Sequence, residues 1–153
     1  MNINEEVIKT FFTAFAKLDY TTMQYCYDND AIFNDPVFGI LQGEQVRSMW
    51  KMLCTRAKDF SLEFNAVEAG EEYGTCLWTA RYVFSKTGRS VINNVKAHMR
   101  FSQGKIIEHT DEFDLYKWSR QAFGVQGWLL GWSGFMKNKI RHQALTNLGS
   151  FKI

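Results

Sequence analysis

Along the first half of the chain, apolar residues recur at intervals of three and four. Val7, Ile8, Phe11, Phe12, Phe15 and Leu18 fall on one wide face of a predicted helix. Asn4 is expected to cap it, and Glu5 and Glu6 place negative charge in the first turn, the favourable end of the helix dipole. Asp19 caps a short second helix through Met23 to Tyr27. A brief strand, Ala31 to Asp35, ends at Pro36, the only proline, and a third helix spans about Glu44 to Lys58 with Val46, Trp50, Leu53 and Ala57 on one side. From Phe60 the period falls to two. Phe60, Leu62, Phe64 and Ala66 alternate with Ser61, Glu63 and Asn65. Cys76, Trp78, Ala80, Tyr82 and Phe84 form one face of a second strand. Val91, Val95, Ala97, Met99 and Phe101 form one face of a third, with Lys96, His98 and Arg100 on the other. A last strand, Ile106 to Tyr116, closes the meander. Helices followed by a long antiparallel sheet predict an α+β fold.

The last strand carries the informative anomaly. Ile107, His109, Asp111, Phe113 and Leu115 share one parity, and the opposite set is the more polar, so His109 and Asp111 are expected to point inward. Burying a carboxylate is costly unless it is paired or protonated. Asp35 shares a parity with Phe33, and Asn93 lies among Val91, Val95 and Ala97. One reading is a pocket between helices and sheet, lined by aromatics and holding convergent acid–base groups. Asp35, His109 and Asp111 are then the catalytic candidates, with Phe11, Phe15, Trp50, Trp78, Asn93, Ala97, Met99 and Phe113 lining the pocket. The other reading is that His109 and Asp111 satisfy each other while Asp35 caps the turn before Pro36. A β-bulge in this strand would reverse the facing. His98 is expected on the outer face, solvated or at a subunit interface.

After Tyr116, residues Lys117 to Phe123 read as helical, and Gly124, Gly127, Gly131 and Gly134 punctuate an aromatic stretch. A final helix carries Met136, Ile140, Ala144 and Leu148 at four-residue intervals, with Lys137, Lys139, Arg141 and His142 elsewhere on its surface. Such a helix packs on its own sheet or on a second subunit far more often than on a membrane, so membrane association is not expected.

Composition narrows the field. At 153 residues the chain is expected to form one domain, 1–153, with a core over about 4–118 and a helical extension over about 117–150. A hydrophobic fraction of 46% excludes disorder, and 16% aromatic residues suit a core or an apolar pocket. The net charge of +2 offers no case for nucleic acid. Cys26, Cys54 and Cys76 include no CxxC pair, which points to reduced, structural thiols in a cytoplasmic protein. The acidic N-terminus lacks the order of a secretion signal, and no apolar run approaches the roughly 20 residues that span a bilayer. One His with two Asp makes a poor transition-metal site, and no phosphate or dinucleotide glycine motif is present, so neither metal nor cofactor is expected.

The order of elements, with Asp19-Tyr20, Phe33-Asn34-Asp35-Pro36-Val37-Phe38-Gly39, Gly43 and Gly104-Lys105-Ile106-Ile107-Glu108, resembles the nuclear transport factor 2-like superfamily. That group includes ketosteroid isomerases, SnoaL-like polyketide cyclases and limonene epoxide hydrolases. The resemblance covers about residues 4 to 118. It implies a cone of strongly bent sheet around a long helix, and a homodimer through the sheet's outer face. By the resemblance, Asp35 takes the position of the isomerase base. The isomerases' two oxyanion donors fall at Phe11 and Ala97, neither of which donates a hydrogen bond, which argues against steroid isomerisation. Asp111-Glu112-Phe113-Asp114 resembles the epoxide hydrolase segment bearing an activating Asp, but no Arg-x-Asp stands near Trp78 to Tyr82. The His–Asp pair of the cyclases is matched by His98 or His109 with Asp111. Residues Trp118 to Gly124, and the Gly-Trp-Leu-Leu-Gly-Trp stretch beyond, resemble a bacterial SnoaL-like subgroup without an assigned reaction. Taken with the pocket reading, the resemblance points to a cofactor-independent isomerase, cyclase or hydrolase acting on a small, largely apolar molecule; the alternative is a non-catalytic ligand-binding or dimeric interaction module.

Overall fold

A computed structural model describes residues 2–130 and 133–151; Gly131 and Trp132, in the glycine-punctuated stretch, lie outside the described residues. The elements run α1 (Ile3–Ala16), α2 (Tyr20–Tyr25), β1 (Tyr27–Asp35), β2 (Gly39–Gln42), α3 (Glu44–Arg56), β3 (Ser61–Ala69), β4 (Tyr73–Phe84), β5 (Arg89–Ser102), β6 (Lys105–Glu112), α4 (Leu115–Phe123), α5 (Val125–Leu130) and α6 (Gly134–Ser150). The six strands form one strongly curved sheet in the order β2-β1-β6-β5-β4-β3. The fold is α+β, as the alternation implies. The sheet is mixed rather than wholly antiparallel, because β1 pairs with β6 in parallel. A parallel pair needs a long connection, and here it is everything between β1 and β6.

The apolar face of α1 fills the concave side of this sheet. Ile8, Phe11 and Phe12 are inaccessible to solvent, and Phe15 nearly so. The N-cap of α1 is Asn2, whose side chain accepts from the Asn4 amide at 2.7 Å. Asn4, expected as the cap, is buried instead, and its Nδ2 donates to the Gly70 and Glu71 carbonyls at 3.0 Å each. The side chain thus satisfies a turn it meets only in three dimensions.

Two bulges re-aim side chains. In β3 the register slips between Asn65 and Glu68, at Ala66 with φ 55°. Ala66 is therefore exposed, and Val67 and Ala69 continue the inward set of Leu62 and Phe64. In β6, Arg100 faces Glu108 but Phe101 faces Ile106. Ile107 is the extra residue, so Ile106, not Ile107, is buried on the same side as His109 and Asp111. The inward facing of the two polar residues survives because the slip lies before them.

The last strand ends at Glu112, earlier than the alternation suggests. Asp114 caps α4 by accepting from the Lys117 amide at 3.0 Å, so Leu115 and Tyr116 are helical rather than extended. Gly124 ends α4 at φ 68°, a left-handed conformation that glycine adopts without strain. Met136 and Ile140 of α6 join Val91, Leu115, Trp118 and Ala122 in a second apolar cluster. The final helix therefore packs on its own domain. No helix among the described residues is long and apolar enough to cross a membrane.

Candidate functional site

Between α3, the curved sheet, α4 and α6 lies a cavity of about 850 Å³. Its walls include Phe15, Trp50, Phe60, Trp78, Tyr82 and Phe113, and α6 closes one side with Met136, Ile140 and Ala144. That volume suits a small organic ligand, and a largely apolar wall interrupted by placed polar groups is the usual character of such sites.

Asp35 enters the cavity from the end of β1. Its Oδ1 accepts from the amides of Val37 at 2.9 Å and Phe38 at 2.6 Å, so Pro36 and the turn into β2 fix the carboxyl. Arg141 of α6 holds the same turn from outside, donating to the Pro36 and Val37 carbonyls at 3.3 and 3.4 Å. Burial pushes the Asp35 carboxyl up to about 7; the Phe38 amide opposes this, and the nearby Asp111 adds to it.

Asp111 reaches the cavity from β6. Phe33 lies opposite His109 and Asn34 opposite Thr110 in the parallel pairing, so Asp35 and Asp111 stand one step beyond the last paired residues. Behind Asp111 runs a buried chain of hydrogen bonds. Trp50 Nε1 donates to the Tyr27 hydroxyl at 2.9 Å, and that oxygen is 2.6 Å from His109 Nδ1. His109 Nε2 is 2.8 Å from Asp111 Oδ1, which also accepts from Trp78 Nε1 at 3.3 Å. Among the described residues the acceptor within reach of the Tyr27 proton is His109 Nδ1, and a neutral imidazole that accepts there carries its proton on Nε2, facing Asp111. Every proton then has an acceptor. Burial also holds the Tyr27 hydroxyl well above its ordinary range, which keeps it a donor. Phe11 and Phe33 meet the His109 ring edge-on, with centroids at 5.6 and 5.1 Å, and Trp50 stacks on it.

Tyr82 brings a phenol hydroxyl to the cavity. Trp118 Nε1 donates to its hydroxyl at 2.7 Å. The Tyr82 proton has no acceptor among the described residues and is available to a ligand. Burial raises this hydroxyl above the usual phenol range. Asn93 adds an amide to the wall.

Of the residues expected at the pocket, Asp35, Asp111, Phe15, Trp50, Trp78, Asn93 and Phe113 border the cavity. Phe11, Ala97, Met99 and His109 stand behind its wall: Ala97 faces Asp111 and Met99 faces His109 across the β5–β6 pairing. His98 is on the opposite face of β5, so the partner of Asp111 is His109. Tyr27, Tyr82 and Trp118 were not among the candidates. Tyr82 lies on the inward parity of its strand, a signal that could have found it. Tyr27 meets His109 only through the fold. The three cysteines are free and buried, and burial pushes Cys26 to about 11 and Cys54 and Cys76 to about 12, which leaves them poor nucleophiles. Cys76 Sγ meets the Asn65 and Leu77 carbonyls, at 3.4 and 3.5 Å.

Comparison with solved structures finds the same fold in several proteins. An NTF2-like protein of unknown function from Burkholderia pseudomallei superposes with a TM-score of 0.69 at 19% identity, over 81% of this chain and 100% of that one. A Catenulispora acidiphila protein with a ketosteroid isomerase-like fold, solved in complex with trimethylamine, gives 0.67 at 12% identity over 76% and 92%. An LEH-like epoxide hydrolase from M. tuberculosis gives 0.67 at 16% identity over 83% and 92%. No curated protein matches the chain. The model of the SnoaL-like domain family matches residues 8–109, two thirds of the chain and all of the site except Asp111, Phe113 and the closing helices. The chain belongs to the SnoaL-like domain family.

Proposed function

We propose that this protein is a cofactor-independent acid–base enzyme, of isomerase, cyclase or hydrolase type, acting on a small and largely apolar molecule in the cavity. The observation that carries the reading is the convergence of two carboxyls, Asp35 and Asp111, on a cavity whose neighbouring wall is built from Phe15, Phe33, Trp50, Trp78 and Phe113. Asp35, raised to about 7, is poised to take a proton near neutral pH. Asp111, oriented by His109 and Trp78, serves as the partner that gives a proton or orients water. The Tyr82 proton meets negative charge developing on a substrate oxygen. His109 acts through Asp111 and does not itself touch the substrate.

The test needs no known substrate. Apolar ketones are incubated with the protein in deuterated water, and exchange of the C–H beside the carbonyl is followed by proton NMR, with apolar epoxides assayed for hydrolysis in parallel. Asp35→Asn is expected to lower any observed rate by about 100-fold or more. A variant within a few-fold of wild type would remove Asp35 as the base.

The second reading is a non-catalytic binding module. It is favoured by the mutual satisfaction of His109 and Asp111, and by Phe11 and Ala97, which by the resemblance fall where isomerases carry oxyanion donors. It predicts ligand binding that survives loss of both carboxyls. On either reading we assign the protein to the cytoplasm, from its free, buried thiols, and to a homodimer formed through the outer sheet face.

A further inference from the structure

The charged side chains bordering the cavity are sorted by depth and by sign. The two acids, Asp35 and Asp111, are partly and fully buried, whereas the three cations, Arg56, Lys86 and Lys139, are all exposed. The cations come from three separate places, the end of α3, the β4–β5 turn and the middle of α6, yet all border this one cavity. No acid stands among them. Among the described residues none of the three forms an ion pair, unlike Arg100, which pairs with Glu72 and Glu108 elsewhere on the sheet. Arg56 also lies over the Phe151 ring, 5.3 Å from its centroid, which orients the guanidinium without neutralising it.

We propose that the ligand of this cavity is an apolar molecule bearing one anionic group, with its apolar body against the aromatic wall and its anion held at the rim by Arg56, Lys86 and Lys139. The inference rests on reading the cavity as a ligand site and names the class of ligand. Charge sets the direction of entry. A rim of one sign beside a low-dielectric cavity concentrates field there and attracts an anion, and the two carboxyls at depth offer it no cation to pair with. A cationic ligand meets the reverse arrangement at both ends. The reacting part of the molecule is then its apolar end, delivered to Asp35, Asp111 and Tyr82. The α6 helix supplies both kinds of contact: Met136, Ile140 and Ala144 turn their apolar row inward, beside a polar row that begins at Lys139.

Three probes of equal chain length and different charge test this: decanoate, decan-1-ol and decyltrimethylammonium, titrated by calorimetry at neutral pH. For the wild-type protein decanoate is expected to bind about tenfold more tightly than the alcohol, with the cation weakest, since exposed charge pairs each contribute modestly. In the triple variant Arg56→Gln, Lys86→Gln, Lys139→Gln, decanoate should fall to the affinity of the alcohol while alcohol binding is unchanged. Circular dichroism confirms folding, and the three single variants, each expected to lose part of the preference, carry the test if the triple variant does not fold. Alcohol binding as tight as decanoate in the wild type, or a preference that persists in the variants, would overturn the rim while leaving the cavity a ligand site. Binding of none of the three probes would overturn both.

Discussion

Asp35 is a carboxyl whose surroundings oppose its charge. Its value of about 7 in the folded chain stands above the ordinary value of about 3.9, so the folded state holds the proton more tightly than the unfolded one. The stability this adds is whole below about pH 4 and is lost as the pH rises to about 7. Carbon NMR of the aspartate carboxyls should show one signal titrating near 7 that is absent from Asp35→Asn. The asparagine keeps the oxygen that accepts from Val37 and Phe38, so above neutral pH the variant should be more stable than wild type, by on the order of 2 kcal/mol in urea unfolding. The difference should shrink as the pH falls toward 4. Tyr27 gives the opposite kind of prediction. Tyr27→Phe leaves Trp50 Nε1 and His109 Nδ1 without their partner in a buried setting, and should destabilise by about 1–3 kcal/mol in the same measurement.

Elements were legible where a period had room to repeat. The alternation in β5 places all of its buried residues and that in β4 all but Gly74, the face of α1 finds its buried residues except Asn4 and Ala14, and the inward facing of His109 and Asp111 follows from the same alternation. Short or long-range features were not legible. The four residues of β2 are too few to show a period, and the parallel β1–β6 pairing joins strands that no local pattern connects. The bulges at Ala66 and Ile107 each add one residue, which shifts parity without changing composition. The end of β6 was misplaced because Phe113 and Leu115 continue its alternation, and only the Asp114 cap shows where the helix begins. Tyr27 could not be identified because its partner lies 82 residues away. Asp114→Ala should lower stability by about 1 kcal/mol, seen as a lower melting temperature. By weakening α4, which carries Trp118, it should also loosen the hold on Tyr82, read as broadening of the Tyr82 ring signals in NMR.

At the scale of the whole molecule the sheet has two faces with different work. The concave face carries the core and the cavity. The convex face exposes Leu77 at 45% and Ile92 at 41% beside Lys96, Arg100 and Glu112. If this face pairs two copies, as proposed, sedimentation at micromolar concentration should give the mass of two chains, and Leu77→Asp should give the mass of one. A single-chain mass for the wild type would overturn the dimer.

The closing wall of the cavity has a consequence for how this protein can change. The acid at the end of β1 and the helix that shuts the cavity are about a hundred residues apart in the chain, and α6 lies beyond the stretch that matches the family. Met136, Lys139, Ile140, Gln143 and Ala144 border the cavity without a hydrogen bond to Asp35, Asp111 or His109. Substitutions along this row of α6 would therefore reshape the cavity without removing a hydrogen-bond partner of Asp35, Asp111 or His109, so long as Arg141, which holds the turn after Asp35, is kept.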